Sequence, residues 1–192
     1  MPMIETPDSL RFFWGARGDS AAIALLAGNA ELPGDLTWEE LPRFAAGQAG
    51  AERVKADLWR FLYDAWQATW GEALKAAFPA ARLGVVNEYE DEPPSVARVW
   101  ENRGLNNWAE IGEARWLQTS VWVDGDYPAA LKLGFYLSDD ERRHFADAWS
   151  EPDDSDPWRN TLDGVALPGD GPLDLTALRQ LAETALRRIA GP

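Results

Sequence analysis

Histidine and cysteine, which often carry acid–base, nucleophilic or metal chemistry, are nearly absent from this chain of 192 residues. There is no cysteine, and His144 is the only histidine. A two-histidine zinc site, a thiolate nucleophile and a disulfide are therefore excluded. No GxSxG motif accompanies His144, and the neighbouring Arg142 and Arg143 suit a solvated helix surface. We predict a surface histidine without a catalytic role.

Carboxylates near a lysine could form a metal-dependent hydrolase or nuclease site, in which acids hold Mg²⁺ and lysine helps to activate water. The candidate residues are Glu88, Glu90, Asp124, Asp126 and Lys132. The residue two before Lys132 is Ala130, so the acid-x-Lys pair of a common nuclease motif is missing. We interpret these acids as water-exposed residues of turns and strand ends.

Three aspartates, Asp153, Asp154 and Asp156, resemble the alternating acids of a calcium-binding loop. An EF-hand loop also needs glycine at its sixth position, and counting from Asp154 that position holds Arg159. The chain has no GxxxxGK[ST] phosphate loop either. We therefore predict neither a metal site nor a cofactor.

The eleven tryptophans fall into two groups. Those at positions that face other elements are predicted to lie in the core: Trp66, Trp70, Trp116 and Trp122. Others lie nearer loops or element ends, where tryptophan often anchors interfaces: Trp100, Trp108, Trp149 and Trp158. Tryptophans also form sugar-binding platforms, but nothing singles out two of the 32 carboxylates as a glycosidase pair.

Negative charge is the strongest compositional feature. The 32 acidic and 18 basic residues give a net charge of −14, opposite to that of proteins that bind a phosphate backbone. Between Asp139 and Asp174 there are eleven acids and three arginines, a net charge of −8. An acidic surface also serves solubility, but that role would spread the charge more evenly. The clustering favours a surface that attracts a basic partner.

The clearest structural unit runs from Ala114 to Trp149. Alternating apolar and polar residues predict strands at Trp116–Val123 and Leu131–Leu137. The intervening Asp124-Gly125-Asp126 provides the glycine of a hairpin turn. Ser138 and Glu141 have capping-box spacing, which predicts that a helix follows the second strand.

Helices are predicted on both sides of this unit. Apolar residues recur at three- and four-residue spacing from 51 to 78, where Gly71 could introduce a kink. We interpret Gly47 and Gly50 as a break before this helix. The same spacing recurs from 174 to 190, where Asp174 is placed to cap the helix.

The remaining segments are predicted from short runs of residues. Strands are predicted at 82–89 and 96–102, and 104–112 has the composition of a loop. The acidic stretch 150–173 is rich in proline and glycine and is predicted to be a loop.

Helices followed by strands and then helices are typical of the α+β class. We predict an antiparallel β-meander of about four strands packed against a long helix in the N-terminal half, with C-terminal helices. A single domain, 1–192, would comprise an N-terminal region of irregular structure and short helices (1–50), the helix, meander and helix (51–149), the acidic loop (150–173) and the last helix (174–190). No apolar run is long enough to cross a membrane and no signal-peptide pattern is present, so we expect a cytoplasmic protein.

These features favour a small acidic protein that binds and inhibits a basic macromolecule without catalysis, as inhibitors, immunity proteins and antitoxins do. One such partner is a nucleic-acid-binding protein, which the chain would block as a nucleic-acid mimic without binding nucleic acid itself. The predicted partner-binding residues are Trp149, Asp153, Asp154, Asp156 and Trp158. The alternative is a small-ligand-binding protein or a divalent-ion-dependent carboxylate hydrolase or nuclease, which would need a pocket.

Overall fold

The computed structural model describes residues 2–7, 10, 41–84, 95–112, 115–124, 130–137, 160–167 and 171–190. These residues form the predicted α+β fold, a five-stranded antiparallel sheet packed against helices. The helices are α1 (Leu41–Trp66), α2 (Glu72–Ala77), α3 (Val96–Asn102) and α4 (Thr176–Ala190), and a π-helical turn, Gln67–Gly71, joins α1 to α2. The strands are β1 (Met3–Ile4), β2 (Arg82–Leu83), β3 (Gly104–Gly112), β4 (Arg115–Asp124), β5 (Ala130–Leu137), β6 (Asn160–Ala166) and β7 (Leu173–Asp174).

Helix α1 buries the apolar stripe that its periodicity predicts. Its buried side chains include Val54, Leu58, Phe61, Leu62, Ala65 and Trp66. The helix begins at Leu41, ten residues earlier than predicted, so residues 41–50 are not irregular and Gly47 and Gly50 do not break it. Pro42 is tolerated because amides in the first turn have no helical acceptor to lose.

The π-helical turn ends at Gly71, the residue singled out in the sequence, and faces β4. Two buried tryptophans, Trp66 just before the turn and Trp70 within it, donate their indole N–H groups to that strand. Trp66 Nε1 donates to Thr119 Oγ1 at 2.9 Å, and Trp70 Nε1 donates to the Ser120 carbonyl at 3.0 Å. The Thr69 hydroxyl donates back to the Ala65 carbonyl at 2.7 Å. These bonds satisfy polar groups that burial would otherwise leave without a partner.

Strands β4 and β5 pair as predicted, from Leu117 with Leu137 to Asp124 with Ala130. The strand order of the sheet is β2-β3-β4-β5-β6. One side of the sheet, named here the inner face, contributes fully buried side chains to the core shared with the helices: Leu105, Ala109, Leu117, Thr119, Val121, Leu131, Leu133 and Phe135. The sheet therefore packs its apolar side on α1, the π-helical turn, α2 and α4.

Strand β3 corrects the interpretation of residues 104–112 as a loop. It pairs with β4 from Gly104 opposite Trp122 to Gly112 opposite Arg115. Glycine and asparagine disfavour strands in general, but strand preference depends strongly on packing against neighbouring strands. Leu105, Ala109 and Ile111 are buried on the inner face, and this burial outweighs the local preference.

Residues 96–102 form helix α3 and not the predicted strand. Val99 and Trp100 are buried, and the Val99 amide donates to the Ser95 carbonyl in helical fashion at 3.0 Å. A short apolar run is compatible with either element, so periodicity alone could not decide. The predicted strand 82–89 is also shorter than expected, because β2 ends at Leu83 and residues 85–89 lie outside the described residues.

Strand β6 lies within the stretch 150–173 that was predicted to be a loop. Val165 pairs with Leu131, and Leu162 pairs with Leu133. Three positions on β6 thus match two on β5, so β6 contains a bulge. At Gly164 a Cβ atom would lie 2.8 Å from Lys132 Cγ and 3.0 Å from the Leu131 carbonyl oxygen, so a larger residue would force one of these neighbours to shift. The extra residue breaks the period-two pattern from which a strand is recognised.

Helix α4 has the predicted cap and apolar face. Asp174 Oδ1 accepts from the Thr176 amide at 2.9 Å and from its hydroxyl at 2.6 Å. The buried residues of α4 are Leu178, Ala182, Ala185, Leu186 and Ile189. The short pairing of β1 with β7 ties residues 3–4 to the segment just before the helix. None of the described helices is long and apolar enough to span a membrane.

Candidate binding surface

The side of the sheet opposite the helices, named here the outer face, is rich in aromatic and uncharged polar residues. Its half-buried side chains are Asn106, Trp108, Glu110, Trp116, Gln118, Trp122, Lys132 and Tyr136. Antiparallel sheets commonly expose one polar side. Three tryptophans and a tyrosine are more than a purely solvated face needs, so this surface is the strongest candidate for binding among the described residues.

The pairing register places three of these side chains in one row across the sheet. Gln118 lies on β4, opposite Trp108 of β3 on one side and Tyr136 of β5 on the other. The ring centroids of Trp108 and Tyr136 are 6.1 Å apart, with an angle of 76° between the rings. Strands two positions apart are separated by roughly 9.5 Å. The two rings therefore lean toward each other across β4 and form an edge-to-face pair.

The next row along the strands, which includes Arg82 of β2, combines an aromatic ring with an ion pair. Trp116 lies opposite Glu110, which in turn lies opposite Arg82 of β2. Arg82 Nη1 donates to Glu110 Oε2 at 2.9 Å, and their side chains are 72% and 28% exposed. An exposed ion pair adds little stability. The pair places one positive and one negative charge at this end of the outer face.

In the other direction along the strands, the outer face becomes smaller and more polar. Asn106, Ser120 and Gly134 share a row, and Ser120 is only 2% exposed. Beyond them, Trp122 lies between Gly104 and Lys132. The aromatic end of the outer face is thus separated from Trp122 by a row of small side chains.

The partner-binding residues predicted from the sequence lie outside the described residues. These are Trp149, Asp153, Asp154, Asp156 and Trp158, and His144 lies in the same undescribed stretch. The structure does fix where that stretch begins and ends. It starts after Leu137 of β5 and ends before Asn160 of β6, at the end of the sheet that carries Tyr136.

For the other tryptophans, the predicted positions are confirmed at some residues and wrong at others. Trp66 and Trp70 are core residues, as predicted. Trp116 and Trp122 are half-buried on the outer face and not in the core. Trp100 and Trp108 are predicted to lie near loops or element ends. Trp100 is instead 3% exposed inside α3, and Trp108 lies within β3.

The acids considered for metal binding are not brought together by the described elements. Lys132 lies on the outer face beside Trp122, Asp124 is the last residue of β4, and Glu88, Glu90 and Asp126 lie outside the described residues. Within the ranges that the structure describes, no three acidic or histidine residues are grouped so as to hold a metal ion.

Charge is divided unevenly between the described and undescribed segments. The described residues contain thirteen bases and eleven acids, a net charge of +2, whereas the rest contain five bases and 21 acids, a net charge of −16. Together they make up the −14 of the chain. The described helices and strands are thus almost neutral, and the excess of acids lies in residues outside the described ranges.

Comparison with protein-family models, with curated proteins and with solved structures finds no match for this chain. The outer face and the acidic segments are therefore interpreted from their own chemistry.

The sequence of 104–112 has the alternation of a strand, although its composition led to its prediction as a loop. Leu105, Asn107, Ala109 and Ile111 alternate with Asn106, Trp108 and Glu110. Read as a strand, this alternation places Trp108 on the opposite side from the core residues. Its pairing with Tyr136 depends on the register of three strands and could not be read from spacing.

Proposed function

We propose that the chain is a non-catalytic binding protein whose acidic segment 139–174 recognises a basic macromolecular partner. The observation that carries the proposal is the net charge of −8 between Asp139 and Asp174, in a chain whose described residues have a net charge of +2. Acids that serve only solubility would be spread more evenly along the chain, including the described helices. Concentrated charge creates a local field that speeds the encounter with a basic surface.

Within the acidic segment, Asp153, Asp154 and Asp156 lie between Trp149 and Trp158 in the sequence. Tryptophans surrounded by charges are typical of binding hot spots, where the ring supplies affinity and the charges supply orientation. The partner would be a basic protein, and a nucleic-acid-binding protein has the required surface. Binding would cover that surface and inhibit it.

The test uses the partner captured by the full chain from its native cell at low salt. Reversal of Asp153, Asp154 and Asp156 to lysine should lower the association rate and flatten its dependence on salt, because screening acts within about 10 Å at 0.1 M salt. Trp158→Ala should mainly raise the dissociation rate. Stopped-flow and surface-binding kinetics measure the two rates.

A matched control separates the local field from net charge. Reversal of Asp57, Asp64 and Glu72 on α1 and α2 changes the total charge by the same amount on the helical framework. This variant should associate nearly as fast as the unmodified chain. Equal association rates for the unmodified chain and the Asp153/Asp154/Asp156 variant at low salt would refute the proposal.

A further inference from the structure

Residues 2–7, named here the strap, are held beside the segment that leads into α4 by a short antiparallel ladder. In this ladder Met3 pairs with Asp174, and Ile4 pairs with Leu173. At one end the Leu175 amide donates to the Pro2 carbonyl at 2.9 Å, but proline has no amide hydrogen with which to return a second bond. At the other end Gly171 has a φ of 80°, outside the range of a strand. The described main-chain pairing of the strap is thus confined to three positions.

Thr6 is a buried residue of the strap whose side chain is not satisfied in the folded state. It is 3% exposed, and its hydroxyl has no hydrogen-bond partner among the residues that the structure describes. The hydroxyls of Thr69 and Thr119, which are equally buried, both make hydrogen bonds. Water would supply partners to the Thr6 hydroxyl, so its cost exists only while the strap is in place. Thr6 therefore opposes the ladder that holds the strap.

We propose that the strap opens and closes in the otherwise folded molecule, and that the Thr6 hydroxyl sets the fraction of molecules in which it is open. Apolar burial holds the strap only weakly, because Ile4 is half-buried against the core and Met3 is 46% exposed. Leu10, in contrast, is fully buried, and its amide donates to the Pro7 carbonyl at 2.9 Å. The chain is thus fixed just beyond the strap, and the opening unit ends at Pro7.

Opening changes the main chain before α4 and leaves the helix itself intact. The Leu175 amide loses its acceptor, but the Leu175 carbonyl still accepts from the Arg179 amide at 2.8 Å. Asp174 also keeps its hydrogen bonds to Thr176, which make no use of the strap. The two states therefore differ in whether the main-chain groups of β7 are paired or accessible to solvent.

Native-state hydrogen exchange of the full chain, followed by NMR at several urea concentrations below the unfolding transition, measures this opening. The reporter is the Leu175 amide, and the references are the amides of Arg179 in α4 and Val123 in β4, which donates to the Arg103 carbonyl. Relative to its intrinsic rate, we expect the Leu175 amide to exchange at least about tenfold faster than either reference. Its rate should hardly depend on urea, because opening of the strap exposes little surface.

Equal protection of the Leu175 and Arg179 amides would overturn the proposal, because the opening unit would then include the first turn of α4. A Leu175 rate that rises with urea as steeply as the Val123 rate would overturn it too, since Leu175 would then exchange only through global unfolding.

Thr6→Val tests the role of the hydroxyl, because valine has nearly the same volume and no polar group. Closing the strap then leaves no group unsatisfied, so exchange of the Leu175 amide should slow by about fivefold or more. Thr6→Ser is the matched control, since it keeps a hydroxyl and should not slow this exchange. If the Leu175 amide of the Thr6→Val chain exchanges as fast as that of the unmodified chain, the hydroxyl does not set the open fraction.

Two further variants keep the test decisive if Thr6→Val disturbs the fold. Val121→Ala removes buried volume from β4, so it should speed exchange of the Val123 amide and leave that of Leu175 within about twofold. Ile4→Ala removes apolar contact from the strap itself and should speed exchange of the Leu175 amide several-fold. An Ile4→Ala chain with an unchanged Leu175 rate, or a Val121→Ala chain in which both rates rise by the same factor, would overturn the proposal.

Discussion

Thr119 connects the two layers of the fold through one buried hydroxyl. Its Oγ1 accepts the indole N–H of Trp66 and donates to the carbonyl of Asn107 at 3.2 Å. Both Trp66 and Thr119 are essentially inaccessible to solvent. The hydrogen bond from Trp66 therefore explains why a threonine lies on the apolar side of β4.

Thr119→Val keeps the volume of the side chain but removes its hydroxyl. The buried indole N–H then has no acceptor, so we expect a loss of about 1–3 kcal/mol in the free energy of unfolding, measured by urea denaturation. In a Trp66→Phe background the same substitution should cost much less, because the donor is already absent. Equal costs in the two backgrounds would show that the hydrogen bond contributes nothing.

Asp174 gives the start of α4 a pH dependence. The Thr176 hydroxyl, followed by the Thr176 amide, lowers the pKa of this carboxyl group. A lowered pKa in the folded state contributes stability above the ordinary pKa of aspartate, and this contribution disappears as the pH falls through the folded value.

The difference in free energy of unfolding between the unmodified chain and Asp174→Ala should therefore be largest near neutral pH. It should shrink as the pH falls below about 4, and denaturation series at several pH values measure it. Asp174→Asn keeps an acceptor for the Thr176 amide but cannot ionise, so it should lose less than alanine. A difference that stays constant down to pH 2 would contradict the role of the charge.

At the scale of elements, the π-helical turn reverses the usual effect of a glycine. In a regular helix interior, alanine is favoured over glycine by about 1 kcal/mol. At Gly71 a Cβ atom would lie 2.7 Å from Gln67 Oε1 and 3.2 Å from Trp66 Cζ3. The glutamine tip can move, but the tryptophan ring is held by the core and by Thr119.

We therefore expect Gly71→Ala to lower the Tm. Gln67→Ala combined with Gly71→Ala should recover only part of the loss, because the contact with the Trp66 ring persists. Thermal denaturation followed by circular dichroism measures both. A Tm higher than that of the unmodified chain would mean that the turn reverts to a regular helix without cost.

The sequence predicts an element well where its pattern is long and uninterrupted. The stripe of α1, the alternation of β4 and β5 and the cap of α4 all satisfy this condition and are confirmed. Helix α3 is too short for its period to be recognised, and the bulge at Gly164 hides the period of β6. In both cases the deciding information is tertiary packing, which no local window contains.

The candidate surface, like the fold, could be predicted from the sequence only in part. The alternation of β4 is visible in the sequence, but Trp116 and Trp122 lie on the outer face and not in the predicted core. Trp108 belongs to the outer face because residues 104–112 form β3. The glycine and asparagine residues of this segment led to its prediction as a loop. The proposed residues from Trp149 to Trp158 remain a prediction from charge and composition.

For the whole molecule, the described core and the excess of acids involve different residues. The core consists of apolar side chains from the sheet and helices, and the excess acids belong to other segments. On the proposed function, substitutions at Asp153, Asp154 and Asp156 would alter partner binding without changing the described core. Changes in the core instead affect stability first.

The pairing of β5 with β6 also has a kinetic consequence. Only two residues separate Gly112 from its partner Arg115, whereas 24 residues separate Phe135 from its partner Asn160. Closing the longer loop costs about 2 kcal/mol more chain entropy by the logarithmic rule. We expect β3 and β4 to be formed in the transition state of folding and β6 to be added afterwards.

The same substitution at two strands tests this order of events. Val165→Ala in β6 should mainly speed unfolding, whereas Val121→Ala in β4 should mainly slow refolding, as stopped-flow chevron plots would show. Slower refolding of the Val165 variant would place β6 in the nucleus. If β6 does form last, it is also the strand of the five-stranded sheet from which amide hydrogens should exchange first, so the sheet would open at the strand that follows residues 138–159.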